Sequence, residues 1–571
     1  MAETKNELDE FFPRDGVIPE AASSTPPAKR LGIVVAGSLS KGLDIKLDRD
    51  ARIEETAVGR YVVVQSGGFK FFSLVTDVAL DSTNPILEKS PPDAAGEPGD
   101  DFVREVMQGT STFGRLHVSP MLALRVAEGA GEPKPVKTVP SHFAPAFEAT
   151  PGDVSRIFGD ETQKGYFEIG EPLDMEGIKI YLDLKRFAER SSGVFGKSGT
   201  GKTYLTRMLL AGMIQQNVAV NLVFDMHNEY GWEGSGEHGK VKALKQLYGP
   251  RTAIFTLDEE SSRRRGSQVD YVVRIGFDTI EPEDVDSISG ILNLSDIQRG
   301  ALYTLHKKLG RDWIAKLLAD KIPQELAESL EQKTLLAGTV GAIQRKLGMF
   351  ERFGFMAETA RESAVDRVLE YLQKGVNVVI EFGRYGNSLE AYILVANFLT
   401  RRIHKAYVER KEAAQGGADE PRQLVITIEE AHKFLDPLIA KQTIFGTISR
   451  ELRKYNVTLL IVDQRPSGID PEVMSQIGTR VTCLLDDEQD IRAVFSGISG
   501  AVELRQVLAR LDTRQQALIL GHAVPMPVVV KTRKYDEVFY AAAGFVEGDE
   551  LQSRRERGSR SIYGEVDEGL A

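Results

Sequence analysis

The chain has almost no cysteine: Cys483 is the only one in 571 residues. That excludes an intrachain disulfide and a cysteine-based zinc cluster, and it suits a reducing compartment. No apolar run approaches the roughly 18 residues of a membrane span. The opening MAETKNELDEFF is acidic and lacks the basic-then-apolar order of a secretory signal. A cytoplasmic protein without membrane contact is expected. A basic excess is also missing. Lysine and arginine total 71 against 83 aspartates and glutamates, a formal charge of −12. This argues against a basic coat for nucleic acid over the whole surface and leaves a local basic channel open. What remains is ordinary globular material, 42% hydrophobic and 27% charged. At roughly 100–200 residues per domain the length allows two to four units.

Residues 1–30 mix charge, proline and small side chains and read as a disordered lead-in. From Leu31, short apolar runs broken by glycine (GIVVAG, LDIKL, GRYVVVQSGG, FKFFSLVTDVAL, then FGRLHVSPMLALRVA) predict a small β-barrel or sandwich over 31–150. Within it, 89–100 and 128–150 read as Gly- and Pro-rich connections. Apolar strands at 218–225, 376–381, 424–428, 457–462 and 480–485 alternate with helical stretches. Such alternation predicts an α/β core, its sheet mostly parallel and covered on both faces, over 170–280 and 375–540. Between 281 and 374 no comparable strand occurs. Leu292, Leu294, Ile297, Leu302 and Leu305, then Ile314, Leu317 and Leu318, recur near helical spacing, so a helical insertion is expected. Residues 541–571 form a polar tail.

The sharpest motif is Gly196-Lys197-Ser198-Gly199-Thr200-Gly201-Lys202-Thr203, a full G-x-x-x-x-G-K-[ST] match. Glycines let the backbone curl so that several N–H groups face phosphate oxygens, and the helix that follows aims its positive end at them. Lys202 can reach the β- and γ-phosphates of ATP, and the Thr203 hydroxyl can ligate Mg²⁺. The apolar SGVF before the motif and the helical pattern after it give the expected strand–loop–helix context. Tyr204, the first residue past the motif, completes the nucleotide-binding set.

Hydrolysis also requires a carboxylate on the metal side and a group that activates water. LVITIEEAH provides a buried strand ending in Glu429 and Glu430, at the carboxyl edge where ligands sit in open α/β sheets. Glu429 is assigned to Mg²⁺ and Glu430 to the attacking water. Asp225, at the end of VAVNLVFD, is open to two readings: part of the metal and water shell, or a turn cap. Its neighbour His227 has no partner histidines nearby and reads as structural. Gln464, at the end of 457–462, can hydrogen-bond a γ-phosphate or its water. Arg450 and Arg453 precede that strand on a helix and are candidates for an arginine finger supplied to a neighbouring subunit.

GKSGTGKT, FDMHNEY, VITIEEAH, SRELRKY and VDQRPSGIDPEVMSQIGT, in that order, resemble the HerA family of ring-forming ATPases, within the wider HerA–FtsK group. The resemblance covers about residues 31–540 and is strongest in the core. It implies a P-loop, RecA-like core behind an N-terminal barrel, a homo-hexamer, and ATP hydrolysis with Mg²⁺ at subunit interfaces. It also implies translocation of double-stranded DNA through a central channel. Archaeal members work with the nuclease NurA at DNA ends, and bacterial relatives pair with sirtuin-like or nuclease effectors in anti-phage defence. A partner of either kind is expected to dock on the barrel. Arg190 lies where family members can present a second arginine to the adjoining site. Two departures stand out. Relatives often read E-G-R-K-Y-G where this chain has Glu451-Leu452-Arg453-Lys454-Tyr455-Asn456, and many carry an arginine near Leu484-Leu485-Asp486.

A DNA channel needs lysines and arginines that grip phosphates without reading bases. Arg263-Arg264-Arg265 is the candidate pore segment, and Arg401, Arg402 and Lys405 read as a solvated helix face. Two alternatives to the DNA motor remain. One is a ring scaffold whose ATPase assembles and regulates an effector. The other is a coupling ATPase that pumps DNA in secretion or conjugation, against which the lack of a membrane anchor counts.

Overall fold

The computed structural model describes residues 28–84, 107 and 111–544, apart from 127–130, 132, 174, 237–238, 320–323, 332–334, 442, 452–453, 499–500 and 513–514. Almost all of the lead-in, the 89–100 connection, Arg453 and the tail from 545 lie outside the described residues.

The first domain is a closed six-stranded barrel. Gly42–Leu47, Arg30–Ser38, Pro145–Glu148, Tyr61–Ser66, Phe69–Ser82 and Thr112–Arg125 follow one another around it, and Thr112–Arg125 pairs back onto Gly42–Leu47 to close it. Closure removes free sheet edges. The run YVVV at 61–64 is apolar throughout because both its faces are covered. Val62 and Val64 point into the barrel with Ile45, Phe71 and Val118. Tyr61 and Val63 point the other way and join the core of the second domain. Tyr61 donates its phenolic hydrogen to the Pro527 carbonyl oxygen at 3.0 Å across that junction. The strand Pro145–Glu148 falls in a stretch that the sequence reads as a Gly- and Pro-rich connection. It is short, and its place is set by partners on both sides, Arg30–Ser38 and Tyr61–Ser66.

The second domain is built on a twelve-stranded sheet. Its order is Tyr271–Val272, Thr252–Thr256, Asn377–Glu381, Val220–Asp225, Leu424–Glu429, Val457–Asp463, Ser192–Phe195, Thr479–Thr482, Gln516–Gly521, Val528–Thr532, Tyr166–Pro172 and Ile180–Asp183. The strands from Tyr271–Val272 to Thr479–Thr482 run parallel, and the rest add antiparallel. The five expected strands are present. Thr252–Thr256 was not read from the sequence, and it stands between the core and the edge. The 480–485 strand is shorter than expected, ending at Thr482.

The helix Lys202–Gln216 is buried on every side from Leu205 to Ile214, as a helix wedged between a sheet and further layers must be. It stops at Asn217, whose left-handed φ of 52° closes the last turn. Residues 281–374 are mostly helical, with Leu302, Leu305, Ile314 and Leu317 in the core. Ile297 faces solvent instead, 72% exposed, because it sits in the first turn of Asp296–Leu309, outside the packed stripe. The last helix of this stretch, Ala364–Gln373, packs on the sheet as the crossover into Asn377–Glu381.

Arg401 and Arg402 do not form a solvated face. They converge on Asp284, which is fully buried, at 2.6 and 2.9 Å, and so pin the long helix Leu389–Gln415 to the helical segment. Among the described residues no helix is long and apolar enough to cross a membrane.

Candidate active site

The parallel strands deliver their carboxyl ends to one edge, and a cavity of about 870 Å³ opens there. Ser198 to Tyr204 line one wall, and Glu429, Glu430, Asp463 and Gln464 line the opposite one. Lys202 and Glu430, 228 positions apart in sequence, therefore share one cavity.

The loop is built by local chain geometry. Gly199 and Gly201 hold φ of 80° and 93°, a left-handed path that side-chain-bearing residues avoid, and a Cβ on either would project into open space. The concave face is thus left free for a ligand. Thr200 donates its hydroxyl to the Lys197 carbonyl oxygen at 2.8 Å, and the Lys202 ammonium donates to the same oxygen at 2.9 Å. Burial lowers the pKa of Lys202, while Cys483, Glu430, Asp463 and Glu429 pull the other way. Lys197 points out of the loop and pairs with Asp486 at 2.9 Å.

Glu429 ends its strand buried. Its Oε1 accepts the Tyr230 hydroxyl at 2.9 Å, and its Oε2 is buried with no hydrogen-bond partner. Burial, then the nearby Asp225, raises its pKa to about 8. Glu430 follows at φ 48°, a strained conformation for a residue with a side chain. Its Oε1 accepts from Gln464 Nε2 at 2.9 Å. Thr203 lines the cavity beside Lys202. Among the described residues no group of three or more His, Cys, Asp or Glu side chains could hold a metal by itself. An orphaned Glu429 oxygen with the Thr203 hydroxyl instead fits an Mg²⁺ that takes its remaining ligands from nucleotide phosphates and water.

Asp225 is a turn cap. Its carboxylate accepts three backbone N–H groups, from Glu229, Tyr230 and Gly231, at 2.7, 2.8 and 3.1 Å, and it does not line the cavity. The three hydrogen bonds turn its carboxylate into its own turn. His227 and Glu229 from the same turn do line the cavity.

Several residues here escaped the sequence reading. Asp463, one position before Gln464, accepts the His432 backbone N–H at 2.7 Å and lies 3.0 Å from His432 Nδ1. That hydrogen bond raises the His432 pKa. The doublet of an acid and Gln464 at a strand end was the available signal. Tyr230 stood inside a quoted motif without a role. Cys483 lies under the loop, its thiol pushed up to about 11 by burial. Gln515 and the segment Arg533 to Glu537 complete the mouth, with Tyr535 6.2 Å from Tyr204 between ring centres. Nothing in their local pattern marks them, since they arrive through the last antiparallel strands.

Residues 167–403 match the family described as the helicase HerA central domain. Over that span the chain is similar to the HerA family of ATPases. The DNA double-strand break repair helicase HerA of Saccharolobus solfataricus is 23% identical over 517 residues, covering 89% of this chain and 92% of that one. Its counterpart of the same name from Sulfolobus acidocaldarius is 23% identical over 498 residues, covering 85% and 90%. Among solved structures, VirB4 of Thermoanaerobacter pseudethanolicus is 15% identical, with a TM-score of 0.40, covering 65% of this chain and 97% of that one. The matched HerA domain holds the phosphate loop and Asp225 but ends before Glu429, Glu430 and Gln464.

Neither Arg190 nor Arg450 lines the cavity. Arg190 caps the helix Leu184–Glu189, packed against Gly478, and its Nε is buried without a hydrogen bond. Arg450 lies 3.5 Å from Glu472, and its Nε and Nη2 are buried without a hydrogen bond. Asn456 takes φ 57°, a left-handed position that asparagine tolerates better than most residues with a side chain. Arg480 is buried in the Thr479–Thr482 strand, where it donates to the Met474 and Val494 carbonyl oxygens.

Proposed function

We propose that this protein is an ATP-driven ring motor that moves or unwinds double-stranded DNA together with a nuclease or another effector. The observation that carries the ATPase chemistry is the convergence of Lys202, Thr203, Glu429, Glu430 and Gln464 on one cavity. The phosphates of ATP lie along Gly196 to Thr203. Lys202 leaves the Lys197 carbonyl oxygen for the β- and γ-phosphates. Thr203 and Glu429 Oε2 would hold Mg²⁺, directly or through water. When bound, Mg²⁺ neutralises charge on the phosphate oxygens. Glu430 takes the proton of the attacking water, and Gln464, hydrogen-bonded to Glu430, keeps that carboxylate and the water aligned.

The ring is supported by the two arginines. Arg190 and Arg450 stand away from their own cavity, Arg450 beside Glu472 at 3.5 Å. That suits a hexamer in which each subunit completes its neighbour's site. DNA is supported by the relatives named as DNA repair helicases. It is also supported by Arg263 and Arg264, with side chains 76% and 72% exposed on the short helix Glu259–Arg264 beyond the strand Thr252–Thr256. Arg265 turns inward to the buried Glu381 at 2.6 Å and is not available to a phosphate. The barrel, fastened to the core on one side, has its outer surface left for a nuclease or sirtuin-like effector.

The deciding experiment measures ATP hydrolysis with and without duplex DNA at rising salt. Stimulation that fades steeply with salt and is lost in an Arg263→Glu/Arg264→Glu double variant is expected. An Arg450→Ala protein, inactive alone, should regain activity when mixed with Lys202→Ala subunits that supply an intact arginine. Hydrolysis indifferent to DNA, with tight co-purification of a second enzyme, would overturn the motor reading in favour of the scaffold.

A further inference from the structure

The carboxylate of Glu429 is held on one side only. Oε1 accepts the Tyr230 phenol at 2.9 Å, Oε2 is buried with no hydrogen-bond partner, and Glu429 lines the cavity while Tyr230 does not. Tyr230 is itself fully buried. A tyrosine kept in a core for packing alone leaves its hydroxyl to be satisfied at a cost, and phenylalanine would fill the same space. Here the hydroxyl is spent on Glu429.

The turn that carries Tyr230 is fixed from three directions. Asp225 caps it through the N–H groups of Glu229, Tyr230 and Gly231. Arg207, on the phosphate-loop helix, donates Nε to the Glu229 carbonyl oxygen at 2.7 Å. Gly231 is wedged so closely that a Cβ there would lie 2.8 Å from Glu381 Oε1. The phenol is therefore a rigid arm, anchored to the sheet edge and to the loop helix, that reaches across to the next strand end.

We propose that Tyr230 is a positioning residue for the metal side of the site. Its phenol locks the Glu429 carboxylate so that Oε2 faces the cavity, and Asp225 acts one step further back by holding the Tyr230 turn. A carboxylate otherwise rotates about its last bond and offers either oxygen, or both. One fixed hydrogen bond selects a single oxygen and a single direction. Such outer partners cost about 10–100-fold in metal affinity or activity when removed. The proposal rests on reading the cavity as an Mg²⁺–ATP site.

The test compares wild type with Tyr230→Phe, using a fluorescent non-hydrolysable ATP analogue in EDTA and across an Mg²⁺ titration. Affinity in EDTA should stay within about two-fold, while the gain in affinity from Mg²⁺ falls about 10–100-fold. With hydrolysable ATP, kcat should fall with little change in KM. Introducing Tyr230→Phe into a Glu429→Gln background should add nothing further. An unchanged Mg²⁺ dependence in a folded Tyr230→Phe protein would sink the proposal. Should the variant not fold, 3-fluorotyrosine at position 230 keeps the hydroxyl. Its ¹⁹F resonance should move when Mg²⁺ is added to the analogue-bound protein, and no movement overturns the idea. A wild type that fails to bind the analogue would instead refute the ATP reading on which the proposal stands.

Discussion

The Lys202 ammonium donates to the carbonyl oxygen of Lys197 at 2.9 Å, so the amine is folded back onto the loop that bears it. Without nucleotide this contact satisfies a half-buried charge whose pKa burial has already lowered. A phosphate is a stronger acceptor than a carbonyl, so binding exchanges one partner for another without unburying the amine.

Lys202→Ala is accordingly expected to weaken binding of the ATP analogue and to reduce hydrolysis by a factor on the order of 10²–10³ or more. Glu430→Gln should separate the two effects. Its amide keeps a polar contact with Gln464 and leaves the phosphate loop intact, so the analogue still binds. Hydrolysis falls by roughly 10²–10⁴ because the proton acceptor has gone. Equilibrium binding and phosphate release, measured on both variants, check this. Glu430→Gln protein that hydrolyses ATP at the wild-type rate would remove Glu430 from its role.

The elements legible in the sequence are those that local pattern decides. The phosphate loop could be read because left-handed glycines and a lysine have a fixed spacing, and Leu424–Glu429 because a strand buried on both faces is apolar throughout. Pro145–Glu148 was hidden because its strand character comes from two neighbours and not from its own residues. The acids divided the same way. Glu429 and Glu430 followed from their place at a strand end. Asp225 accepts three backbone N–H groups that no spacing rule displays. Arg401 and Arg402 looked like surface charge because their partner, Asp284, lies more than a hundred positions away. Long-range pairing of this kind leaves no periodic trace.

A pH dependence follows from the buried acids. Burial, then the charge of Glu381, raises Asp225 to about 7, against three backbone hydrogen bonds that lower it, and Glu429 is raised to about 8. Both folded pKa values lie above those of an unfolded chain, which are near 4. From about pH 4 upward the unfolded state loses protons that the folded state keeps, so stability falls with rising pH until the folded groups ionise near pH 7–8. The melting temperature of nucleotide-free protein should therefore decline from about pH 5 to 8. Asp225→Asn, which has no proton to lose at that position, should flatten the decline. Parallel pH profiles for the two proteins would contradict the assignment.

Asp284 sets the strongest stability prediction. It is fully buried, accepts Arg401 at 2.6 Å and Arg402 at 2.9 Å, and takes the Glu281 backbone N–H at 2.9 Å. Asp284→Ala would leave Arg402 without its carboxylate partner and Arg401 with only the more exposed Glu281, 2.9 Å away. Breaking such a network by removing one member costs about 3–5 kcal/mol. Asp284→Asn keeps the shape and an acceptor but loses the charge, so it should fall between Asp284→Ala and wild type. The contrast is Glu260→Gln. Its partner Arg264 is one turn away on the same exposed helix face, and such pairs contribute about 0.3–0.5 kcal/mol. Urea unfolding followed by far-ultraviolet circular dichroism orders the variants. The expected sequence of midpoints, lowest first, is Asp284→Ala, Asp284→Asn, then Glu260→Gln close to wild type. An Asp284→Ala midpoint equal to that of Glu260→Gln would mean that the two arginines find water as readily as they find Asp284, and that the helical segment is held to the long helix by packing alone.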